Sequence, residues 1–239
     1  MTIGMERSNE LAAETRGLLA RLRAFCFPGG EGRARLVSSI RTTERGEMRA
    51  SPGAPWLAFS AEQVIEAHRS SFRWEARYQG GRMGWITVTD AYEKGHGHLV
   101  VKLGGVIPVQ KVQGREADRG ELRRYLASTA LCPPILLNHA SLDWTAVGAF
   151  SLRVRDRTDP TGATLEMDLS EEGCPLGCRA DRPRIVGKQT VLTPWSATPH
   201  EFKESDGLRT ASRLEVSWRL PEGPFIYYRS EVVSIKLMF

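Results

Sequence analysis

The sequence predicts an α+β fold built on one large, curved antiparallel sheet, with a few helices packed on it and a further helix at the N-terminus. Three observations lead to this prediction. The chain has 239 residues, of which 41% are hydrophobic, so it can bury a sizeable core. From about residue 37 onward, apolar and polar side chains alternate with a period of two, which is typical of strands with one solvated face. The regular alternation of strands and helices that marks a parallel sheet does not occur.

The first 25 residues are predicted to form an amphipathic helix. Its positions on one face are spaced three or four residues apart: Leu11, Thr15, Leu18, Leu22 and Phe25. Ser8 or Asn9 is the candidate N-cap, and the proline and two glycines within 27–30 end the helix. Because an apolar stripe must be buried, we expect the helix to pack on its own chain, with docking on a partner as the alternative. The predicted boundaries are an N-terminal helical extension at 1–35 and a single sheet domain at 36–239.

Five later segments alternate clearly enough to be predicted as half-buried strands. They are 72–78, 83–87, which contains Met83, Trp85 and Thr87, 99–103, 150–155 and 213–220. Gly80-Gly81 and Gly95-His96-Gly97 lie between strands, which indicates hairpins joined in a meander. The polar faces carry Arg73, Arg77, Arg153, Arg155, Arg213 and Arg219. Much of the formal net charge of +5 is therefore assigned to the solvated face of the sheet.

A second helix is predicted from Asp118 to Ala130. Asp118 and Glu121 have the spacing of a capping box, in which each side chain caps the other's backbone N–H. Pro133-Pro134 ends the helical region, and the apolar segment 135–137 is long enough for one further helical turn.

The composition excludes several classes of function and location. Basic residues are spread along the chain rather than concentrated in one segment, so we expect no nucleic-acid partner. No stretch approaches the roughly 20 apolar residues that a transmembrane helix needs, and charged residues interrupt the start where a secretory signal would be apolar. We therefore expect a cytoplasmic protein with no transmembrane segment. The oligomeric state is left open.

Aromatic side chains are the most distinctive candidates for a binding site. They either fill the core between sheet and helices or line an apolar cavity on a curved sheet, which would hold an elongated apolar ligand. The predicted ligand-binding residues are Trp56, Phe59, Trp74, Trp85, Tyr92, Arg124, Tyr125, Trp144 and Trp195.

No motif assigns a metal, a cofactor or a catalytic residue. His96 and His98 face the same side of a predicted strand, but zinc sites normally need at least three protein ligands. Cys174 and Cys178 are separated by three residues, whereas zinc and thioredoxin-like motifs have two, and a reversible disulfide is the alternative. The G-x-S-x-G elbow of serine hydrolases is absent. We predict no cofactor and no metal.

Several short blocks of sequence resemble a bacterial family of uncharacterised proteins. They are RGEMR at 45–49, PWLAFSAEQ at 55–63, FRWEAR at 72–77, DAYEKGHG at 90–97, ELRRYL at 121–126, CPPILL at 132–137, LDW at 142–144, TPW at 193–195 and EVSW at 215–218. Their order is similar, more distantly, to that in the lipoprotein-sorting carriers. This second resemblance implies an open half-barrel of antiparallel strands with helices on its concave face, over an apolar cavity.

Three functions fit these observations. The leading hypothesis is a non-enzymatic protein that binds a lipid-like or other apolar small molecule in an aromatic-lined cavity. The alternative is a hydrolase or isomerase that uses Asp90, Arg124 and His96 in the same cavity, which would require titratable groups within hydrogen-bond reach on the concave side. The third is an interaction module whose N-terminal helix docks on a partner.

Overall fold

The computed structural model describes residues 2–78, 85–187 and 189–239, with side chains of the first helix from Ser8 onward. Within these ranges the chain forms one 13-stranded antiparallel sheet that is open, with three α-helices. The helices are α1 (Thr2–Cys26), α2 (Arg115–Ala127) and α3 (Ile135–Asn138). The strands are β1 (Ser39–Met48), β2 (Leu57–Glu66), β3 (Phe72–Tyr78), β4 (Ile86–Glu93), β5 (His96–Leu103), β6 (Ile107–Gln113), β7 (Leu142–Gly148), β8 (Ser151–Asp156), β9 (Thr164–Leu169), β10 (Pro175–Val186), β11 (Gln189–Ser205), β12 (Leu208–Leu220) and β13 (Gly223–Met238). The predicted fold class is confirmed.

The sheet consists of two meanders joined by its first and last strands. The strand order is β6-β5-β4-β3-β2-β1-β13-β12-β11-β10-β9-β8-β7, with Ser39 of β1 opposite Met238 of β13. Because neighbouring strands are antiparallel, their connections alternate between the two edges of the sheet. The connections β1–β2, β3–β4, β5–β6, β8–β9, β10–β11 and β12–β13 therefore share one edge, and β2–β3, β4–β5, β7–β8, β9–β10 and β11–β12 share the other.

The helices lie at the second of these edges and on the concave face. Gly97 at the start of β5 lies against the backbone of Ala117 in α2, and Gly173 in the β9–β10 connection lies against Arg21 in α1. A Cβ at either glycine would come within 2.3 Å of helix backbone atoms, so the close approach depends on glycine. Helix α2 contacts β4, β5 and β6 on one flank of the sheet and β9 and β10 on the other. It therefore spans the concave face.

Helix α1 packs against β7, β8 and β12 through its second half. Leu18, Leu22 and Cys26 are buried, whereas Leu11 is 40% exposed. Thr15, on the predicted inner face, instead donates to the Leu11 carbonyl and accepts a bond of 2.9 Å from the Ala146 N–H of β7. The division into an extension at 1–35 and a sheet domain at 36–239 stays a prediction.

The predicted start of the second helix is wrong by three residues. Helix α2 begins at Arg115, and the Asp118 carboxylate accepts a 2.7 Å bond from the Gly97 N–H of β5 instead of capping the helix. A carboxylate in the first helical turn is favoured by the helix dipole whether or not it caps, so the sequence pattern alone does not distinguish the two roles.

The predicted strands agree with the observed ones where the structure describes them. Segment 72–78 is β3, and its burial alternates strictly along the strand. Segments 99–103, 150–155 and 213–220 fall on β5, β8 and β12, and the six arginines assigned to the solvated face are all exposed. Gly95 forms a two-residue turn with Lys94, both at positive φ, whereas His96 and Gly97 already belong to β5. Gly80-Gly81 and Met83 lie outside the described residues.

Candidate functional site

The concave face and α2 enclose a cavity of about 740 Å³. Its walls are mainly aliphatic and aromatic, because the concave-facing positions of the strands on both flanks are apolar. One wall carries Val88, Leu99, Val101 and Val112, and the other carries Ile185, Ala197, Leu214, Val216 and Trp218. Such a cavity removes an apolar ligand from water and gains the corresponding hydrophobic free energy.

An ion pair between α2 and the sheet lies at the end of the cavity near α2. Arg124 of α2 is hydrogen-bonded to the Asp90 carboxylate of β4. Its guanidinium also stacks on Phe72 and Trp74, with 4.9 and 5.0 Å from Cζ to the ring centroids. Burial lowers the pKa of Arg124, but a guanidinium titrates so far above neutrality that it stays charged. The pair therefore acts as an ion pair and not as an acid–base pair.

A second ion pair joins α2 to the opposite flank. Arg182 of β10 donates a 3.0 Å bond to the Glu121 carboxylate of α2. The Arg182 guanidinium stacks on Trp195 of β11 at 4.9 Å. Burial raises the pKa of Glu121, and Arg182 opposes this rise through its charge and its hydrogen bond. Each flank of the sheet is thus tied to α2 by one arginine–carboxylate pair that rests on a tryptophan.

Four buried polar atoms at these two ion pairs have no partner among the described residues. They are the donors Trp74 Nε1 and Arg182 Nε and the acceptors Asp90 Oδ1 and Glu121 Oε2. Because a buried polar atom without a hydrogen bond costs free energy, unpartnered donors and acceptors in a cavity wall favour a ligand or water that completes them. The α2 end of the cavity is polar, and the rest of its wall is mainly apolar.

Comparisons with known proteins bear on family and fold. The model of a family of unknown function, DUF6920, matches residues 19–237. The chain belongs to this family. The predicted resemblance to a family of uncharacterised proteins is thereby confirmed. No curated protein is similar to this DUF6920 protein in sequence.

Three solved structures share its fold. A LolA superfamily protein from Nitrosomonas europaea has a TM-score of 0.51 at 9% identity, covering 94% of each chain. A DUF1329 family protein from Desulfovibrio piger has a TM-score of 0.52 at 9% identity, covering 95% of this chain and 92% of that one. A putative outer membrane lipoprotein-sorting protein domain from Vibrio parahaemolyticus has a TM-score of 0.50 at 8% identity, covering 96% and 93%. The predicted architectural similarity is confirmed at the level of fold.

Three of the nine predicted ligand-binding residues of the DUF6920 protein line the cavity: Trp74, Arg124 and Trp195. The strand period predicted Trp74 on the buried face of its strand, which is where the structure places it. Trp74 and Trp195 are 1% and 4% exposed, so each shows the cavity only a small part of its ring. Ligand binding by these residues stays a prediction.

The structure places the other six predicted residues away from the cavity. Phe59, Tyr92 and Tyr125 are buried in the packed core, where Phe59 lies beneath Trp74 with ring centroids 5.6 Å apart. Tyr125 points from α2 toward β2 and donates to the Glu66 carbonyl at 2.9 Å. The physical reason is depth along the strand, because the period of two identifies a face of the sheet but not which part of that face the helices cover.

The remaining three of these six lie toward the edges of the fold. Trp144 packs half-buried against the core at β7. Trp56 lies before β2, between the guanidinium groups of Arg49 and Arg229 at 4.5 and 4.9 Å. Trp85 is 58% exposed at the start of β4. All three were predicted to lie in a cavity wall, and the structure instead places them outside it.

Sequence reasoning missed the paired tyrosines Tyr227 and Tyr228, which both line the cavity. Consecutive residues of a strand normally point to opposite faces. Here the register between β12 and β13 shifts so that Val216 pairs with Tyr228 and Ser217 with Ile226, which leaves Tyr227 as the extra residue of a β-bulge. Tyr227 accepts a 3.0 Å bond from Trp195 Nε1. No local sequence pattern predicts this bulge.

The polar residues considered for catalysis and metal binding are only partly brought together. Asp90 and Arg124 meet, but the His96 side chain is 80% exposed outside the cavity, with Asp118 at 3.8 Å. Among the residues that the structure describes, no group of three or more His, Cys, Asp or Glu side chains could hold a metal. Cys174 and Cys178 are both free thiols. Within the same part of the chain, no helix has the length and hydropathy needed to cross a membrane.

A cluster of serine, histidine and aspartate lies apart from the cavity. Ser70 donates to Asp156 at 2.6 Å and lies 3.1 Å from His139 Nε2, while Ser141 lies 3.2 Å from His139 Nδ1. In a hydrolytic triad the carboxylate orients the histidine and the histidine takes the serine proton. Here the serine hydroxyl instead donates its hydrogen bond to the carboxylate, and the cluster connects the β2–β3 loop to β8.

This cluster predicts loss of stability at mildly acidic pH. Burial lowers the pKa of His139 from its usual 6.5, so the unfolded chain binds a proton that the folded chain does not. The free energy of unfolding should therefore fall as the pH drops below about 6.5, until the lowered pKa is reached. Hydrogen bonds from Ser70 and Thr158 hold the pKa of Asp156 below its usual 3.8 despite burial, so its effect begins only in stronger acid.

Urea denaturation between about pH 7.5 and 5.5 measures the effect of His139. His139→Gln should flatten the pH dependence, because the buried imidazole that takes up a proton only in the unfolded chain is then absent. Equal pH dependence in the wild type and in His139→Gln would contradict the assignment.

Proposed function

We propose that this DUF6920 protein binds an elongated, lipid-like molecule in the cavity and acts as a carrier without catalysing a reaction on it. The observation that supports this function is the cavity of about 740 Å³ with mainly apolar walls. Pockets for small molecules usually measure roughly 300–1,000 Å³ and are mainly apolar, with a few polar groups that fix orientation.

The structural neighbours support the same proposal. One is named a LolA superfamily protein and another a putative outer membrane lipoprotein-sorting protein domain. Those names describe those proteins, and the fold that they share with this chain is an open sheet that can hold a ligand on its concave face. The cytoplasmic location expected from the sequence stays a prediction.

The polar end of the cavity gives the proposed ligand an orientation. The unpartnered acceptors of Asp90 and Glu121 and the unpartnered donors of Trp74 and Arg182 suit a ligand whose polar group both donates and accepts hydrogen bonds. The apolar part of such a ligand would extend along Val88, toward the edge of the sheet opposite the helices.

Binding of dansyl-labelled undecanoic acid, followed by its fluorescence, tests this proposal with cavity-filling variants. Ala197→Phe on β11 and Val88→Phe on β4 should each weaken binding about tenfold or more, since one methylene of misfit in an apolar pocket costs roughly 1–3 kcal/mol. Thr198→Phe and Thr89→Phe place the same ring one residue further along each strand, on the opposite face of the sheet, and should bind as the wild type does.

Circular dichroism of the same samples establishes that each variant is folded. The proposal is wrong if the wild type does not bind the probe. It is equally wrong if the folded cavity-filling variants bind the probe as tightly as their opposite-face controls.

A further inference from the structure

The cavity extends toward the first of the two sheet edges, away from α1 and the start of α2. Five of the six strand connections at this edge, all except β8–β9, form what we call the rim, which we define by the described residues 49–57, 85, 102–109, 184–187, 189–192 and 219–224. Arg184, Ile185 and Thr190 belong both to the rim and to the cavity wall. Because Ile185 and Thr190 are exposed, the cavity wall reaches solvent at the rim, whereas the ion pairs of α2 lie toward the other end of the cavity.

Exposed apolar side chains are concentrated at the rim. Nine of the sixteen large hydrophobic side chains found exposed in the described chain lie there: Leu57, Trp85, Val106, Ile107, Val109, Ile185, Val186, Val191 and Leu192. Val106 and Ile107 are 75% and 60% exposed at the tip of the β5–β6 hairpin. Soluble proteins rarely expose apolar side chains in groups unless the group contacts a membrane or another molecule.

The rim is also basic, unlike the outer face of the sheet. Its described residues include four basic side chains, Arg49, Lys102, Arg184 and Arg219, and one acidic side chain, Glu222. Across the described chain no carboxylate lies within 4.0 Å of the side-chain nitrogens of Lys102, Arg184 or Arg219.

Most arginines of the outer face have carboxylate partners, which makes the basic rim distinct. Arg45 pairs with Glu231 at 2.9 Å, and Arg153 pairs with Glu166 at 2.7 Å. The positive charge of the outer face is therefore largely compensated locally, whereas that of the rim is available to an anionic partner.

We propose that the rim docks on an anionic lipid bilayer, with its apolar tips in the interface and its basic side chains on the lipid phosphates. Apolar side chains combined with lysine and arginine are what membrane-surface segments use, and each basic residue adds attraction to anionic lipids. Docking in this orientation places the mouth of the cavity against the bilayer. A lipid could then enter the cavity without crossing water, which extends the proposed carrier function to the source of its ligand.

Cosedimentation of the full chain with vesicles tests the docking. The chain should bind vesicles of phosphatidylcholine with phosphatidylglycerol, should bind pure phosphatidylcholine much less, and should dissociate as salt is raised. The double variant Lys102→Gln, Arg219→Gln, at two rim positions that do not line the cavity, should bind anionic vesicles about thirtyfold more weakly, which corresponds to roughly 1 kcal/mol for each basic residue. The control Arg16→Gln, Arg21→Gln removes the same charge from exposed positions of α1 and should bind as the wild type does.

The contribution of the apolar side chains to vesicle binding is tested with a second pair of matched variants. Val106→Ser with Ile107→Ser should reduce vesicle binding. Leu36→Ser with Phe239→Ser removes two side chains that are 68% and 64% exposed at the opposite edge, and should not reduce it. The proposal is overturned if the rim variants and their controls lose vesicle binding equally. It is also overturned if the chain binds neutral and anionic vesicles equally well.

The outcomes separate docking from ligand binding. The cavity-filling variant Ala197→Phe should still sediment with anionic vesicles, and the rim variants should still bind the dansyl probe in solution. A wild type that binds the probe but not the vesicles would overturn docking and leave the carrier function intact. If the rim instead binds a second copy of the chain, analytical ultracentrifugation should show a dimer that the rim variants abolish. That result would also overturn docking on a bilayer.

Discussion

Replacing Asp90 with alanine is expected to lower the free energy of unfolding by about 3–5 kcal/mol, the usual cost of removing one partner from a buried ion pair. Asp90 is 6% exposed, and its partner Arg124 lies between the aromatic rings of Phe72 and Trp74. Without the carboxylate, the guanidinium is left charged and desolvated. Urea denaturation followed by circular dichroism measures the loss of stability. Because the pair connects α2 to the sheet, α2 and the sheet should still unfold together in one cooperative transition.

Two comparisons identify the cause of this loss. The double variant Asp90→Leu, Arg124→Met should recover most of the stability, because apolar side chains that fill the space of a buried ion pair are often neutral or better. As a control, Glu231→Ala on the outer face breaks the pair with Arg45 and should cost less than about 1 kcal/mol, because the Arg45 and Glu231 side chains are 68% and 30% exposed. Strictly additive effects of the Asp90 and Arg124 substitutions would contradict the coupling.

Strand β3 shows how much of this fold can be predicted from the sequence. Each residue of β3 has the polarity that its face requires, so the period alone gives the strand, its inner side chains and its exposed arginines. The same holds for the end of β12 and for β8. Local alternation is sufficient where a strand has one wet and one buried face.

The same pattern does not give the position of a residue along the cavity. Asp90 and Tyr92 of β4 point to the same concave face, but Asp90 lines the cavity and Tyr92 is buried in the core. The two residues differ in how α2 covers the concave face above them. The position of α2 depends in turn on the hydrogen bond that the Gly97 N–H donates to Asp118. The fold class was therefore predictable, whereas six of the nine predicted site residues lie outside the cavity wall.

The rim could not be inferred from the sequence because its parts are distant along the chain. Ile107 and Ile185 lie in different hairpins, and each alone is an ordinary exposed residue of a turn. Strand order places both hairpins on one edge, and only then do their apolar and basic residues form one surface. The pair of Glu121 and Arg182 was missed for the same reason, since its partners are sixty-one residues apart.

Replacing Leu22 with alanine is expected to destabilise the protein by about 2–5 kcal/mol, the usual range for deleting a buried leucine side chain. Leu22 of α1 is fully buried, and Leu11, one and a half heptads earlier on the same helix, is 40% exposed. Leu11→Ala should change the free energy of unfolding by less than about 0.5 kcal/mol, as exposed substitutions usually do. Equal effects of the two substitutions, measured by urea denaturation, would instead favour the alternative in which α1 is free to dock on a partner.

The same docking can be tested from the sheet side with a pair of glycines that share one backbone conformation. Gly173 and Gly30 both have a φ of +88°, so alanine at either position carries the same strain of roughly 1–2 kcal/mol. At Gly173 the new Cβ would also come within 2.3 Å of the Arg21 backbone in α1, whereas at Gly30 it meets nothing within 4 Å. Because only Gly173→Ala pushes α1 off the sheet, it should cost clearly more than Gly30→Ala. Equal costs would mean that the contact between α1 and the β9–β10 connection does not contribute to stability.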